Sequence, residues 1–261
     1  MPYESPRRED SPPMARHVQV EQRGEVALVR IDRPPANAMD LELLADGEAV
    51  REELLATAPG AIVLTGRPGF FSAGVDLKVA PTLGPEQQRK MVAGINRLFA
   101  GWYAFPRPVV AAVNGHAIAG GLILALCADY RVCATEGKLG LTELRAGIPY
   151  PAAAMVAVRR ELPPPAARLL AMRAELIDPR RALELNVVDE LAEPDGVVDR
   201  ALEVAGELAA LPRQAYTRVK AQVRGPAIAE MQRAVTDDPM LGGWLSGETV
   251  DAAAGILTPP S

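Results

Sequence analysis

Aromatic residues are scarce in this chain: Phe, Trp and Tyr together make up 4% of its 261 residues. Packing must therefore lean on Leu, Val and Ala. Cysteine is nearly absent, with Cys127 and Cys133 alone, in the passage CADYRVC. Neither their spacing nor their neighbours form a His/Cys cluster, so no metal site is expected. The pair reads as buried free thiols of a reducing compartment rather than as a disulfide framework. Positive charge is not in excess, since 28 Lys and Arg stand against 33 Asp and Glu for a net charge of -5. A nucleic-acid binder normally shows a basic face, so no nucleic-acid partner is expected. No apolar run approaches the roughly 18–20 residues that span a bilayer, which argues against a membrane-spanning helix. The opening MPYESPRREDSPPMAR lacks the apolar core of a secretory leader. Its prolines and dense charge read as a disordered tail over residues 1–16, and Glu4, Glu9 and Asp10 speak against a transit peptide. A cytoplasmic location follows as the expectation.

What remains is 49% hydrophobic and 23% charged, ordinary for one globular α/β domain with an appendage. The chain is organised around Ala61 to Leu77, AIVLTGRPGFFSAGVDL. Ala61-Ile62-Val63-Leu64 reads as a buried parallel strand. The chain then passes through Arg67-Pro68-Gly69 to Ser72-Ala73-Gly74, small residues that let a ligand approach the backbone. An unpaired N–H there, such as that of Val75, can be aimed at a bound oxygen. A second turn of the same design follows in Val109 to Leu126, VVAAVNGHAIAGGLILAL, with a buried strand, an Asn114-Gly115 turn and a helix opening at Ala119-Gly120-Gly121. The first N–H groups of a helix have no internal partner and carry partial positive charge, so Gly120 can present a donor to an anionic oxygen. Two such donors would make an oxyanion hole, suited to the enolate of a thioester, each worth about 2.7–4 kcal/mol.

The segments FFSAGVDLK and AAVNGHAIAGGLILALCADYRV resemble the two signature segments of the enoyl-CoA hydratase/isomerase (crotonase) family, and the likeness runs from about Val18 to about Lys220. The resemblance implies an α/β fold, a spiral of ββα units over residues 17–194. It implies a C-terminal helical region over residues 195–261 that builds oligomers or covers the site. It implies an acyl-CoA thioester substrate in fatty acid metabolism, with coenzyme A as part of the substrate and no separate cofactor, and a homotrimer or hexamer. Carried over by position, the two oxyanion donors fall on Val75 and Gly120, and Ser72, Ala73, Gly74, Asp76 and Leu77 lie along the substrate. Ala36 and Ala38, in Pro34-Pro35-Ala36-Asn37-Ala38, match the segment that lies near the CoA head group.

Lys138 to Pro151, KLGLTELRAGIPYP, carries the next candidate. From the residues alone, Glu143 is a solvated turn carboxylate beside Arg145, or a partly desolvated carboxyl with a raised pKa. The resemblance aligns it with the family's catalytic glutamate. Family hydratases carry a second glutamate three residues past the oxyanion glycine, where this chain has Ile123. One carboxyl suffices to move a proton between two carbons of one substrate, the pattern of Δ3,Δ2-enoyl-CoA isomerases. Hydration, or acyl-CoA binding without catalysis, are the alternatives. Tyr150 is a candidate pocket hydroxyl, whereas His116, without a partner, reads as packing, and Asp76 and Asp129 read as structural caps.

Along the rest of the chain, Val18 to Ile31 reads as a hairpin around Arg23-Gly24. Asp40 caps a helix with an apolar face of Leu41, Leu44, Ala45, Val50 and Leu54, ended by Pro59-Gly60. Residues 79–84 read as an unpatterned loop. Pro85 opens a helix whose Met91, Ile95, Leu98 and Trp102 face the core. Asp178-Pro179 starts a further helix, Asn186 takes a left-handed cap, and Leu241, Trp244 and Leu245 close over something near the end.

Overall fold

In the computed structural model, residues 17–247, Thr249 and Ala252 are described. The expected tail over residues 1–16 lies outside the described residues. The chain begins with the antiparallel hairpin of β1 (Val18–Arg23) and β2 (Val26–Ile31), followed by α1 (Leu41–Thr57). Three turns of one pattern follow. The first is β3 (Ala61–Thr65), β4 (Gly69–Ser72) and α2 (Pro85–Tyr103). The second is β5 (Val109–Val113), β6 (Gly115–Ile118) and α3 (Gly120–Leu126). In the third, β7 (Tyr130–Ala134) and β8 (Leu139–Gly140) lead through a 3-10 turn at Glu143–Ala146 to α4 (Ala152–Glu161). The remainder comprises α5 (Pro164–Ala167), β9 (Leu176–Ile177), α6 (Pro179–Glu184), β10 (Glu190–Ala192), α7 (Val197–Ala209) and α8 (Arg213–Asp237).

The first strand of each unit joins a six-stranded sheet, ordered β1-β2-β3-β5-β7-β10 and parallel from β2 onward. The second joins a smaller sheet, β4-β6-β8-β9. This is the α/β spiral of ββα units, closed by helices at the C-terminal end. The larger sheet is covered on both faces, which is why every residue of β3 and β5 is buried. Alternation along the strands divides them between two layers. Val26, Leu28, Val63, Val110 and Ala112 pack under Val197, Ala201 and Ala205 of α7. Ala27, Val29, Ile62, Leu64 and Ala111 face the main core instead.

Asp40 caps α1, its Oδ1 accepting from Leu43 N at 2.9 Å. The buried face of this helix is Leu43, Leu44, Gly47, Val50 and Leu54. Ala45, expected on that face, is exposed, and Leu41 is half-buried. The phase shift has a local cause: Gly47 shows no apolar side chain in the sequence, yet α2 packs onto it, with Leu98 Cδ1 lying 2.9 Å from where a Cβ would sit. The helix ends as expected directly before Pro59-Gly60, with Ala58 in the left-handed conformation (φ 50°, ψ 57°). Residues 79–84 contain a 3-10 turn, Ala80–Thr82, rather than an unpatterned loop. Met91, Ile95, Leu98 and Trp102 are buried as expected, Pro85 and Pro179 open their helices, and Asn186 is left-handed at φ 54°.

Helix α8 crosses the C-terminal end of α3, where carbonyls just beyond the last turn need partners from elsewhere. Arg224 donates to Cys127 O at 3.1 Å and Ala128 O at 2.8 Å. It also pairs with Asp129 at 3.0 Å and Glu161 at 3.3 Å, and its guanidinium lies 4.2 Å from the Tyr103 ring centroid. Lys220 reaches Asp129 at 2.7 Å. Asp129 is therefore structural, as read from the sequence. Cys127 and Cys133 are free and buried. No helix among the described residues is long and apolar enough to cross a membrane.

Candidate active site

The loop after β4 is held from beneath. Asn37, fully buried, shares its Nδ2 among the carbonyls of Ile31, Phe70 and Phe71. Ser72 Oγ donates to Asn37 O at 2.7 Å and accepts from Gly74 N at 3.1 Å. Ala73 N donates to Ala36 O at 2.9 Å. A single parallel bridge joins Met39 to Val75, with Met39 N donating to Gly74 O and Asp76 N to Met39 O. In that pattern the N–H and C=O of Val75 itself point away from Met39, and the N–H is left for another acceptor.

The second loop leaves β6 at Ala119, whose φ of 52° and ψ of -127° are unusual for a residue with a Cβ. Ala119 N donates to Gly140 O at 2.7 Å, and Gly120 starts α3. The two loops press together at two glycines. A Cβ on Gly74 (φ +77°) would lie 2.8 Å from Gly120 N, and one on Gly121 would lie 2.2 Å from Ser72 O. The Val75 and Gly120 backbones are neighbours because neither contact point carries a side chain.

Both loops border a cavity of about 470 Å³, and the 3-10 turn after β8 brings Glu143 to the same wall. Ala73, Val75, Leu77, Gly120, Ile123, Glu143 and Tyr150 thus converge on one cavity. Ser72, Gly74, Asp76, Ala36 and Ala38 do not line it. Ser72 and Gly74 shape the loop from behind. Asp76 binds Arg33 at 3.2 Å and accepts from Lys78 N, while the Ala36 and Ala38 carbonyls accept from Ala73 N and Arg33. His116 packs against Phe70, the two rings tilted with centroids 4.9 Å apart, but also lines the cavity. The sequence reading did not find Met39, Phe99 or the cavity role of Ile95. The latter two continue the buried stripe of α2, whose periodicity looks the same whether it meets core or cavity.

Among the described residues on the cavity wall, Glu143 is the one carboxyl. It is 8% exposed, forms no ion pair with Arg145, and its Oε2 is buried with no hydrogen-bond partner. Burial pushes its pKa from the usual 4.5 up to about 7, against the opposing pull of its own backbone N–H and the Tyr150 hydroxyl. The hydroxyl is itself held above its ordinary range, by burial first and by the Glu143 carboxylate second. Ile123, 1% exposed, stands on the same wall from α3. The site can therefore exchange one proton near neutral pH in surroundings otherwise almost wholly apolar.

Known proteins share this arrangement of chain. A probable enoyl-CoA hydratase of Mycobacterium avium is 32% identical over 210 residues, covering 80% of this chain and 81% of that one. A probable enoyl-CoA hydratase of Bacillus subtilis is 32% identical over 187 residues, 70% and 72% of the two chains. Among solved structures, human mitochondrial Δ3,Δ2-enoyl-CoA isomerase superposes with a TM-score of 0.81 at 27% identity, over 93% of this chain and 97% of that one. The family model described as enoyl-CoA hydratase/isomerase matches residues 21–243. The chain belongs to the enoyl-CoA hydratase/isomerase family.

Proposed function

We propose that this family enzyme is a Δ3,Δ2-enoyl-CoA isomerase that works with a single carboxyl. The observation that carries the reading is the cavity wall itself, where Glu143 is the one carboxyl among the described residues and Ile123 stands where the family resemblance would put a hydratase's second carboxyl. In the proposed reaction the Glu143 carboxylate removes a proton from C2 of a 3-enoyl thioester. The electrons of that C–H bond move into the thioester to give a dienolate, whose oxygen accepts from the Val75 and Gly120 N–H groups. Glu143 then returns the proton at C4, the double bond settles between C2 and C3, and the carboxylate is regenerated. A pKa near 7 suits both halves of the shuttle, since the group accepts and gives up a proton with little driving force either way. Coenzyme A enters as part of the substrate, and the proposal needs no other cofactor.

Hydration is the second reading. The names of the bacterial relatives favour it, and so does the Tyr150 hydroxyl beside Glu143, which would serve as the second proton donor. The deciding experiment supplies a 3-enoyl-CoA and a 2-enoyl-CoA in parallel and follows the absorbance of the conjugated thioester. A rise with the first and no fall with the second is expected. A fall with the second would replace the isomerase by a hydratase. Glu143→Gln should lower turnover by at least about 100-fold, the low end for a general acid–base group, while acyl-CoA binding persists. Retained turnover would leave a binding protein or another thioester chemistry. A homotrimer or hexamer is proposed as the working form, supported by Val219 and Val223, exposed one turn apart on α8.

A further inference from the structure

The residues that line the cavity differ in exposure. Lys138 and Arg145 on its rim are exposed. Ile95, Phe99 and Trp244 on its wall are each 4% exposed or less. A charged nucleotide head group needs solvent, so the acyl chain of a bound thioester runs toward the closed, buried part of the lining. Most of that closed wall is made by helices and sheet. Trp244 is not: it arrives from the segment after α8, beyond a 3-10 turn at Pro239–Gly242.

That segment is tied down on both sides of the indole. Before it, Asp238 Oδ2 accepts from Asn96 Nδ2 at 2.9 Å and from Ala152 N, the first residue of α4, at 2.7 Å. After it, Leu245 N donates to Gln88 Oε1 at 3.2 Å, and Thr249 Oγ1 donates to Gly147 O at 2.7 Å. The indole N–H itself donates to Pro149 O at 3.1 Å. A rigid side chain of two torsions, buried and hydrogen-bonded at its tip, behaves as a wall.

We propose that Trp244 is the end wall of the acyl compartment and sets the longest straight acyl chain the protein accepts. The assignment rests on the acyl-thioester reading above. A cavity of about 470 Å³ sits in the lower half of the roughly 300–1,000 Å³ usual for small-molecule sites, and the thioester shares it with the chain. The substrate class is therefore short- to medium-chain thioesters.

The test is calorimetric titration with saturated straight-chain acyl-CoA esters of increasing length, which bind without reacting. Wild-type affinity should climb with each methylene and then fall by about tenfold or more at the step where the chain meets the indole, the least that one methylene decides in an apolar pocket. Trp244→Ala should move that step to longer chains, and Trp244→Phe, which keeps a ring, should move it less. An unmoved step in both variants overturns the assignment. Should Trp244→Ala fail to fold, tryptophan emission of the wild type decides. Trp102, the other tryptophan, is buried against Phe105 and does not line the cavity, so a change on binding reports Trp244. Emission unmoved by bound esters of every length overturns the assignment as well. A wild type that binds no ester at all removes the thioester reading and the end wall with it, whereas binding with a limit indifferent to Trp244 removes the end wall alone.

Discussion

Glu143 is a carboxyl held where its charge is poorly solvated, and two measurable pH effects follow. As the proposed base it must be ionised, so kcat/KM should rise about tenfold per pH unit below about 7 and level off above it. A profile already flat from pH 5 would remove Glu143 from that role. Stability moves the other way. Because folding raises this pKa from 4.5 to about 7, the native chain binds the proton more tightly than the unfolded chain. The carboxyl therefore costs nothing below about pH 4.5, and its cost grows as pH rises through about 7. Glu143→Gln should be no more stable than wild type at pH 4 and more stable at pH 8, by up to about 3 kcal/mol. Urea denaturation of both proteins at the two pH values checks the difference.

Between elements, the decisive distances are those that keep the two glycine-rich loops adjacent. Gly121 on α3 meets the Ser72 carbonyl of β4, a backbone atom that cannot step aside. Gly121→Ala should cost about 3 kcal/mol, lowering Tm by roughly 6–12 °C. Gly206→Ala in α7 meets nothing within 4 Å and should instead stabilise by about 0.5–1 kcal/mol. Thermal denaturation of the two variants side by side separates contact from helix propensity. This scale also marks the boundary of what could be read in advance. The hairpin, the buried strands β3 and β5, the Pro85 and Pro179 helix starts and the two Gly-rich turns were legible because apolar runs and backbone dihedrals are written locally. The face of α1 was misplaced at Ala45 because Gly47 meets Leu98, a contact that no periodicity in α1 displays. Ser72 and Gly74 lay on the expected loop, but which side of that loop faces the cavity depends on Asn37 and Met39, pairings made across more than 30 residues. The structure buries Glu143 on the cavity wall, a placement that the residues alone left open between a solvated turn and a desolvated carboxyl.

For the molecule as a whole, both thiols lie inside the main core rather than at a surface or a site. Burial pushes the Cys133 pKa up to about 12 and that of Cys127 further still, so neither forms the thiolate that reacts. A thiol-specific disulfide reagent at pH 8 should therefore label neither cysteine in the folded protein and both in denaturant. Rapid labelling without denaturant would show that the core opens far more readily than its packing implies.

The clamp on the Glu143 turn also imposes an order of events in the cell. Pro149 and Gly147 receive their hydrogen bonds from residues 95 and 102 positions later in the chain. Chains grow from the N-terminus and their parts fold as they emerge. The spiral, both glycine-rich loops and the glutamate are thus made while the residues that brace the glutamate turn are still unsynthesised. A chain cut short in this interval has both glycine-rich turns but lacks the hydrogen bonds that brace the segment after Glu143 at Gly147 and Pro149.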